Sequence, residues 1–173
     1  SGRSISLSSD GTIVAIGSNL NDGNGSNSGH VRVYKYNGSS WNKLGEDIDG
    51  EASKDNSGYS VSLSSDGTIV AIGANLNDGN GTDSGHVRVY KYNGSSWNKL
   101  GEDIDGEASK DRSGVSISLS SDGTIVAISS VFNDGNGADS GHVRVFQNIY
   151  TTDVEVETVL NENPDEFDTK KRQ

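Results

Sequence analysis

A nine-residue string, Ser8-Ser9-Asp10-Gly11-Thr12-Ile13-Val14-Ala15-Ile16, returns unchanged at Ser64 to Ile72 and at Ser120 to Ile128, each copy 56 residues after the last. A repeat of this size constrains the fold more than any local propensity does. Each copy must form the same supersecondary unit and bury its apolar face on a neighbour. Residues 1–56 and 57–112 differ at only six positions: Arg3/Tyr59, Ile5/Val61, Ser18/Ala74, Ser26/Thr82, Asn27/Asp83 and Asn56/Arg112. Recent duplication leaves copies this alike.

Alternation and turn chemistry divide one unit into four strands. Ser4 to Ser8 places Ile5 and Leu7 on one face, and Asp10-Gly11 reads as a two-residue hairpin turn. Thr12 to Gly17 is apolar on both faces, as in a strand covered on both sides. A polar loop, Asn19 to Gly29, leads to His30 through Tyr36, where Val31 and Val33 lie opposite Arg32 and Tyr34. Asn37-Gly38 turns the chain into Ser40 to Leu44, and the acidic stretch Glu46 to Asp55 reads as a solvated connector to the next unit.

Only 30% of residues are apolar, Gly reaches 23 and Pro164 is the single proline, a profile of short strands and tight turns rather than long helices. A formal charge of −11 without clusters of Lys and Arg excludes a nucleic-acid partner. No apolar run of membrane-spanning length is present, so the chain is not expected to span a bilayer. Without cysteine there are no disulfides, thiol nucleophiles or thiolate metal sites.

Four-stranded units at this period predict an all-β fold of β-propeller blades, about three blades of a larger propeller. A β-solenoid has shorter coils and lacks the paired hairpins. The expected division is blade 1 at 1–56, blade 2 at 57–112, and blade 3 at 113–160 with a divergent last strand supplied by Asp153 to Leu160. Residues 161–173 read as a linker or disordered tail ending in Lys170-Lys171-Arg172. Ser1-Gly2 is in phase with Ser57-Gly58 and Ser113-Gly114, which leads us to expect further blades or partner subunits over the open outer sheets. The apolar rows expected there are Ile13-Val14-Ile16 and Val31-Val33 or their third-copy counterparts.

Gly58-Tyr59-Ser60-Val61-Ser62-Leu63, Ile69 to Ala74, an Asp/Gly/Asn loop, Ser84-Gly85-His86-Val87-Arg88-Val89-Tyr90, and Trp97 with Leu100 together resemble the FG-GAP repeat of integrin-α-type β-propellers. The resemblance covers residues 1 to about 147. It implies a propeller, usually of seven blades, serving adhesion or surface recognition outside the cell. Two departures stand out. The family's calcium loop, Asp-x-Asp-x-Asp-Gly between the first two strands, is replaced here by Ser9-Asp10-Gly11-Thr12, and the aromatic of the opening pair gives way to Asn56 and Arg112.

The candidate metal site is instead the loop between strands two and three. Asp22, Asn24 and Asn27 recur as Asp78, Asn80 and Asp83, and again as Asp134, Asn136 and Asp139. Oxygen ligands at this spacing in a Gly-rich loop suit calcium. With one carboxylate in the first copy, a turn whose side chains bond their own backbone is the favoured reading and calcium the alternative. Asn-x-Ser/Thr glycosylation acceptors occur at Asn24, Asn37, Asn80 and Asn93, all in loops or turns.

His30, His86 and His142 recur once per unit, which favours a structural job over catalysis. Trp41 and Trp97 fit packing between blades better than sugar platforms. Acid pairs such as Glu46/Asp47 lie in the repeated connector and do not read as a glycosidase dyad. No nucleophile elbow or zinc helix is present. The expectation is a non-catalytic extracellular or cell-surface module with a protein or glycan ligand. The alternatives are a structural repeat subunit of a filament or shell, and an accessory propeller of a larger secreted enzyme.

Overall fold

The computed structural model describes residues 1–147 and the backbone of 155–160. Three antiparallel sheets follow the repeat. The first contains β1 (Ser4–Leu7), β2 (Ile13–Ser18), β3 (His30–Tyr36), β4 (Trp41–Lys43) and β5 (Ile48–Asp49), with both β4 and β5 on β3. The second is β6 (Ser60–Leu63), β7 (Ile69–Ala74), β8 (His86–Tyr92) and β9 (Trp97–Asp105). The third is β10 (Ser113–Leu119), β11 (Ile125–Ser130), β12 (His142–Gln147) and β13 (Glu155–Leu160). The backbone of β13 pairs with β12 as the last strand of its sheet. The segment 161–173, expected to be a linker or tail, lies outside the described residues.

Registers repeat with the sequence: Ile5 stands opposite Ile16, Val61 opposite Ile72 and Ile117 opposite Ile128. Two local readings change. The Asp10-Gly11 turn is a four-residue loop rather than a two-residue one, because Ser8 and Ile13 close the ladder. Inside it the Asp10 carboxylate accepts from the Ser8 hydroxyl at 2.6 Å and the Thr12 N–H at 2.9 Å, replacing the turn's missing backbone partners. The second change concerns the acidic stretch. Ile48–Asp49 forms β5 on β3, and Glu102–Asp105 belongs to β9, which resumes pairing with β8 after a bulge.

The sheets stack face to face, and the core lies between them. β2 sends Ile13 and Ala15 to one side; with Val31, Val33 and Ile48 these meet Val61, Leu63, Val70 and Ile72 of the second sheet. The next junction repeats the pattern, with Ile69, Ala71, Val87, Val89 and Ile104 against Val126, Ile128 and Phe146. Each fully buried Val or Ile contributes roughly 1.5–3 kcal/mol relative to exposure. Trp97 packs into the first junction, its indole N–H donating to the Leu44 carbonyl at 2.7 Å.

The outer face of the first sheet is therefore not the one expected. Val31, Val33 and Ile13 are in the buried junction, while Ile5 (69% exposed), Leu7 (58%) and Trp41 (46%) line the open side with Val14 and Ile16. Strand alternation is the reason, since neighbours on β2 point to opposite faces.

Candidate functional site

The β2–β3 loop and the acidic segment meet at one end of each sheet. The Asn24 amide donates to the carbonyls of Gly50 at 2.8 Å and Glu51 at 3.1 Å; Asn80 does the same to Gly106 and Glu107 at the same distances. Asp22 accepts the backbone N–H of Asn27 at 2.7 Å, Asp78 that of Asp83 at 2.8 Å, and Asp134 that of Asp139 at 2.7 Å. Asn27, Asp83 and Asp139 have φ of 54°, 53° and 52°, left-handed values that short Asn and Asp side chains tolerate. The residues singled out for calcium are thus brought together in each loop: the Asp22, Asp78 and Asp134 carboxylates close the loop on itself, and the Asn24 and Asn80 amides tie the first two loops to the neighbouring segment. Asn136 joins through its N–H, which donates to the Ser140 hydroxyl at 3.3 Å.

Beside these loops stands a group of charges that the sequence alone did not reveal. Buried His30, at the head of β3, has Nδ1 3.7 Å from Asp47 and 4.0 Å from Asp49. Arg32 donates through Nε at 2.9 Å to Asp47, and Lys43 reaches the same carboxylate at 2.9 Å. In the second sheet Arg88 holds Asp103 through two hydrogen bonds of 3.0 and 2.8 Å, and also contacts Glu51 of the first sheet. The third repeats the cross-sheet link, with Arg144 3.8 Å and His142 3.6 Å from Glu107. Asn77 bonds Asp55 at 3.1 Å and Asn133 bonds Asp111 at 2.8 Å, again across junctions.

The acidic stretch is consequently a clasp between blades and not only a solvated connector. Its partners are 22 to 37 residues away in the next copy, so neither hydropathy nor local spacing could pair them. The one available signal was the repetition of Glu51/Arg88 as Glu107/Arg144.

The electrostatics follow from this arrangement. The Arg32 hydrogen bond, with Lys43, holds the Asp47 carboxyl at about 2. Burial pushes Asp103 upward, but its bonds to Arg88 and Lys99 prevail and leave it at about 2. Burial lowers His30, His86 and His142 below the ordinary histidine value, favouring the neutral imidazole. His30 with Asp47 and Asp49, and His86 with Glu51 and Asp103, have ligand-type atoms within 4.8 Å of one another. The guanidinium of Arg32 or Arg88 already occupies the same carboxylates. A cleft of about 450 Å³ lies at the open side of the first sheet, lined by Arg3, Asn19, Leu20, Asn21, His30 and Arg32. Among the described residues no helix is long and apolar enough to cross a membrane.

Comparison with solved structures shows the same architecture. A Bacteroides uniformis protein assigned as a 6-phosphogluconolactonase superposes with a TM-score of 0.60 at 14% identity, over 91% of this chain and 40% of its own. The hydrazine synthase of Kuenenia stuttgartiensis superposes with a TM-score of 0.51 at 12% identity, over 90% of this chain and 37% of its own. At these identities the likeness is one of fold, and the chain spans less than half the length of either structure. No curated protein sequence matches the chain. Residues 48–90, from β5 through most of β8, match the family described as FG-GAP repeat. Residues 48–90 thus match an FG-GAP repeat, and the antiparallel sheets on either side of them repeat its four-stranded blade, the architecture of a partial β-propeller.

Proposed function

We propose that this chain is part of a non-catalytic extracellular β-propeller that acts in adhesion or in recognition of a protein or glycan ligand. The observation that carries the reading is the loop rim. The β2–β3 loops of the first two blades are pinned to the acidic segments by the paired Asn24 and Asn80 bonds, so they present the same polar groups in a fixed geometry. Rigid loops on a sheet scaffold suit binding because little ordering entropy is lost on contact. Further blades or partner subunits cover the open face at Ile5, Leu7 and Trp41.

The test is binding of the folded chain to panels of cell-surface glycans and proteins. Saturable binding that weakens when Asp22 and Asp78 are changed to Ala, with the melting temperature of each variant measured alongside, is the expected result. No saturable binding to any panel member would overturn recognition.

A structural role is the second reading, favoured by the near-identity of the junctions: Ser9 N–H donates to Ser65 O, and Ser65 N–H to Ser121 O, both at 2.8 Å. Ordered filaments growing with protein concentration would favour it over ligand recognition.

A further inference from the structure

We propose that Asn37 and Asn93 are the N-glycan acceptors of this chain, and that Asn24 and Asn80 stay bare once it has folded. All four lie in Asn-Gly-Ser or Asn-Gly-Thr triplets and all four are exposed, so neither sequence nor accessibility separates them. The side-chain nitrogen does. At Asn37 the amide oxygen accepts the N–H groups of Ser39 and Ser40, each at 2.9 Å, and among the described residues nothing receives the amide hydrogens. Asn93 repeats this with Ser95 and Ser96, each at 2.9 Å. At Asn24 and Asn80 both hydrogens are spent on two carbonyls of the acidic segment.

Glycosylation acts on that nitrogen. It forms a bond to the anomeric carbon of an activated sugar, the sugar's phosphate leaving group departs with the electron pair of the broken C–O bond, and one amide proton is lost. At Asn37 the product keeps its oxygen bonds and its turn. At Asn24 the product retains one hydrogen for two carbonyls, and the sugar must enter the space of Gly50 and Glu51. Glu51 is the residue that contacts Arg88 across the junction.

Aromatic residues brace the hairpin at Asn37. Tyr36 donates its hydroxyl to the Gly38 carbonyl at 2.9 Å, and its ring lies 5.4 Å from that of Trp41. Tyr92 and Trp97 repeat the pair at 5.2 Å. The hairpin and the β2–β3 loop lie at opposite ends of β3, a seven-residue strand spanning roughly 20 Å. Glycans on the hairpins therefore leave the loop rim bare, a consequence that rests on the recognition reading above; the acceptor assignment itself does not.

The experiment uses a soluble N-glycosyltransferase with UDP-glucose as donor, acting on the folded chain and, separately, on its proteolytic peptides. Site occupancy is read by mass spectrometry. Peptides should be modified at all four asparagines. The folded chain should be modified at Asn37 and Asn93 at the peptide rate, and at Asn24 and Asn80 at least tenfold more slowly. Ser39→Ala should remove modification at Asn37 alone. Peptide-rate modification of folded Asn24 or Asn80, or protection of Asn37 or Asn93, would overturn the assignment. So would refusal of the Asn24 peptide itself, because the protection would then lie in sequence and not in the fold. Ligand binding is measured on the unglycosylated chain, so failure here and failure of the recognition reading are separate results.

Discussion

Gly73 of the second sheet lies against the Gly114 carbonyl of the third so closely that a Cβ on Gly73 would collide with it, as one on Gly17 would with the Gly58 carbonyl. The backbones of consecutive blades touch at these points. Gly73→Ala is expected to force the sheets apart and destabilise the chain by about 1–3 kcal/mol, the usual cost of overpacking. Chemical denaturation checks this, and an unchanged midpoint would refute the close approach.

Removing Arg88 should cost far more than removing Arg32. Arg88 is 13% exposed at its side chain and serves two carboxylates from different sheets, whereas Arg32 is 45% exposed and holds Asp47 within its own sheet. Arg88→Ala strands partly buried charge, at a cost of roughly 3 kcal/mol. Arg32→Ala should cost under about 1 kcal/mol. Equal losses in urea titrations would show that the clasp between blades adds nothing.

Stability should fall on mild acidification. Burial, assisted by Arg88, depresses His86 below 6.5 in the folded state despite the nearby carboxylates of Asp103, Glu51 and Asp105. The unfolded state then binds the proton more readily, so this contribution is complete above pH 6.5 and is lost as pH falls through the folded value. His86→Gln should reduce that part of the profile, to which His30 and His142 also contribute. Asp103, lowered from 3.8 to about 2, contributes a separate loss between about pH 4 and 2. Melting temperatures from pH 8 to 2 would resolve the two steps, and a wild-type profile flat from pH 7 to 5 would contradict the first.

The open face should govern association. Ile5 and Leu7 are exposed where their equivalents Val61 and Leu63 are buried in a junction. The chain alone is expected to be oligomeric or aggregation-prone. Ile5→Lys with Leu7→Glu should shift it toward monomer with little loss of stability. Light scattering that shows a compact monomer for the unmodified chain would refute this.

Calcium, if held by the Asp22, Asp78 and Asp134 loops, stabilises the folded state by mass action. The melting temperature should rise in millimolar calcium and fall with chelator, and Asp78→Ala should diminish the shift. An unchanged melting temperature would remove calcium from these loops.

The sequence by itself determined the blade. Period, strand alternation and turn residues are local properties, so β1 to β4 and the resemblance to the FG-GAP repeat were legible from residues within one copy. The β2–β3 loop was legible as a unit for the same reason, since Asp22 and Asn27 lie five residues apart. Only the tertiary structure decided which face of β2 meets which neighbour, and so that Val31 and Val33 are buried while Ile5 and Leu7 are bare. It also decided that Glu51 answers Arg88, and that Asn24 spends its amide on Gly50 and Glu51 while Asn37 does not. A polar side chain's partner depends on how sheets stack and where a bulge resumes pairing, and those distances are set between copies that are nearly identical along the chain.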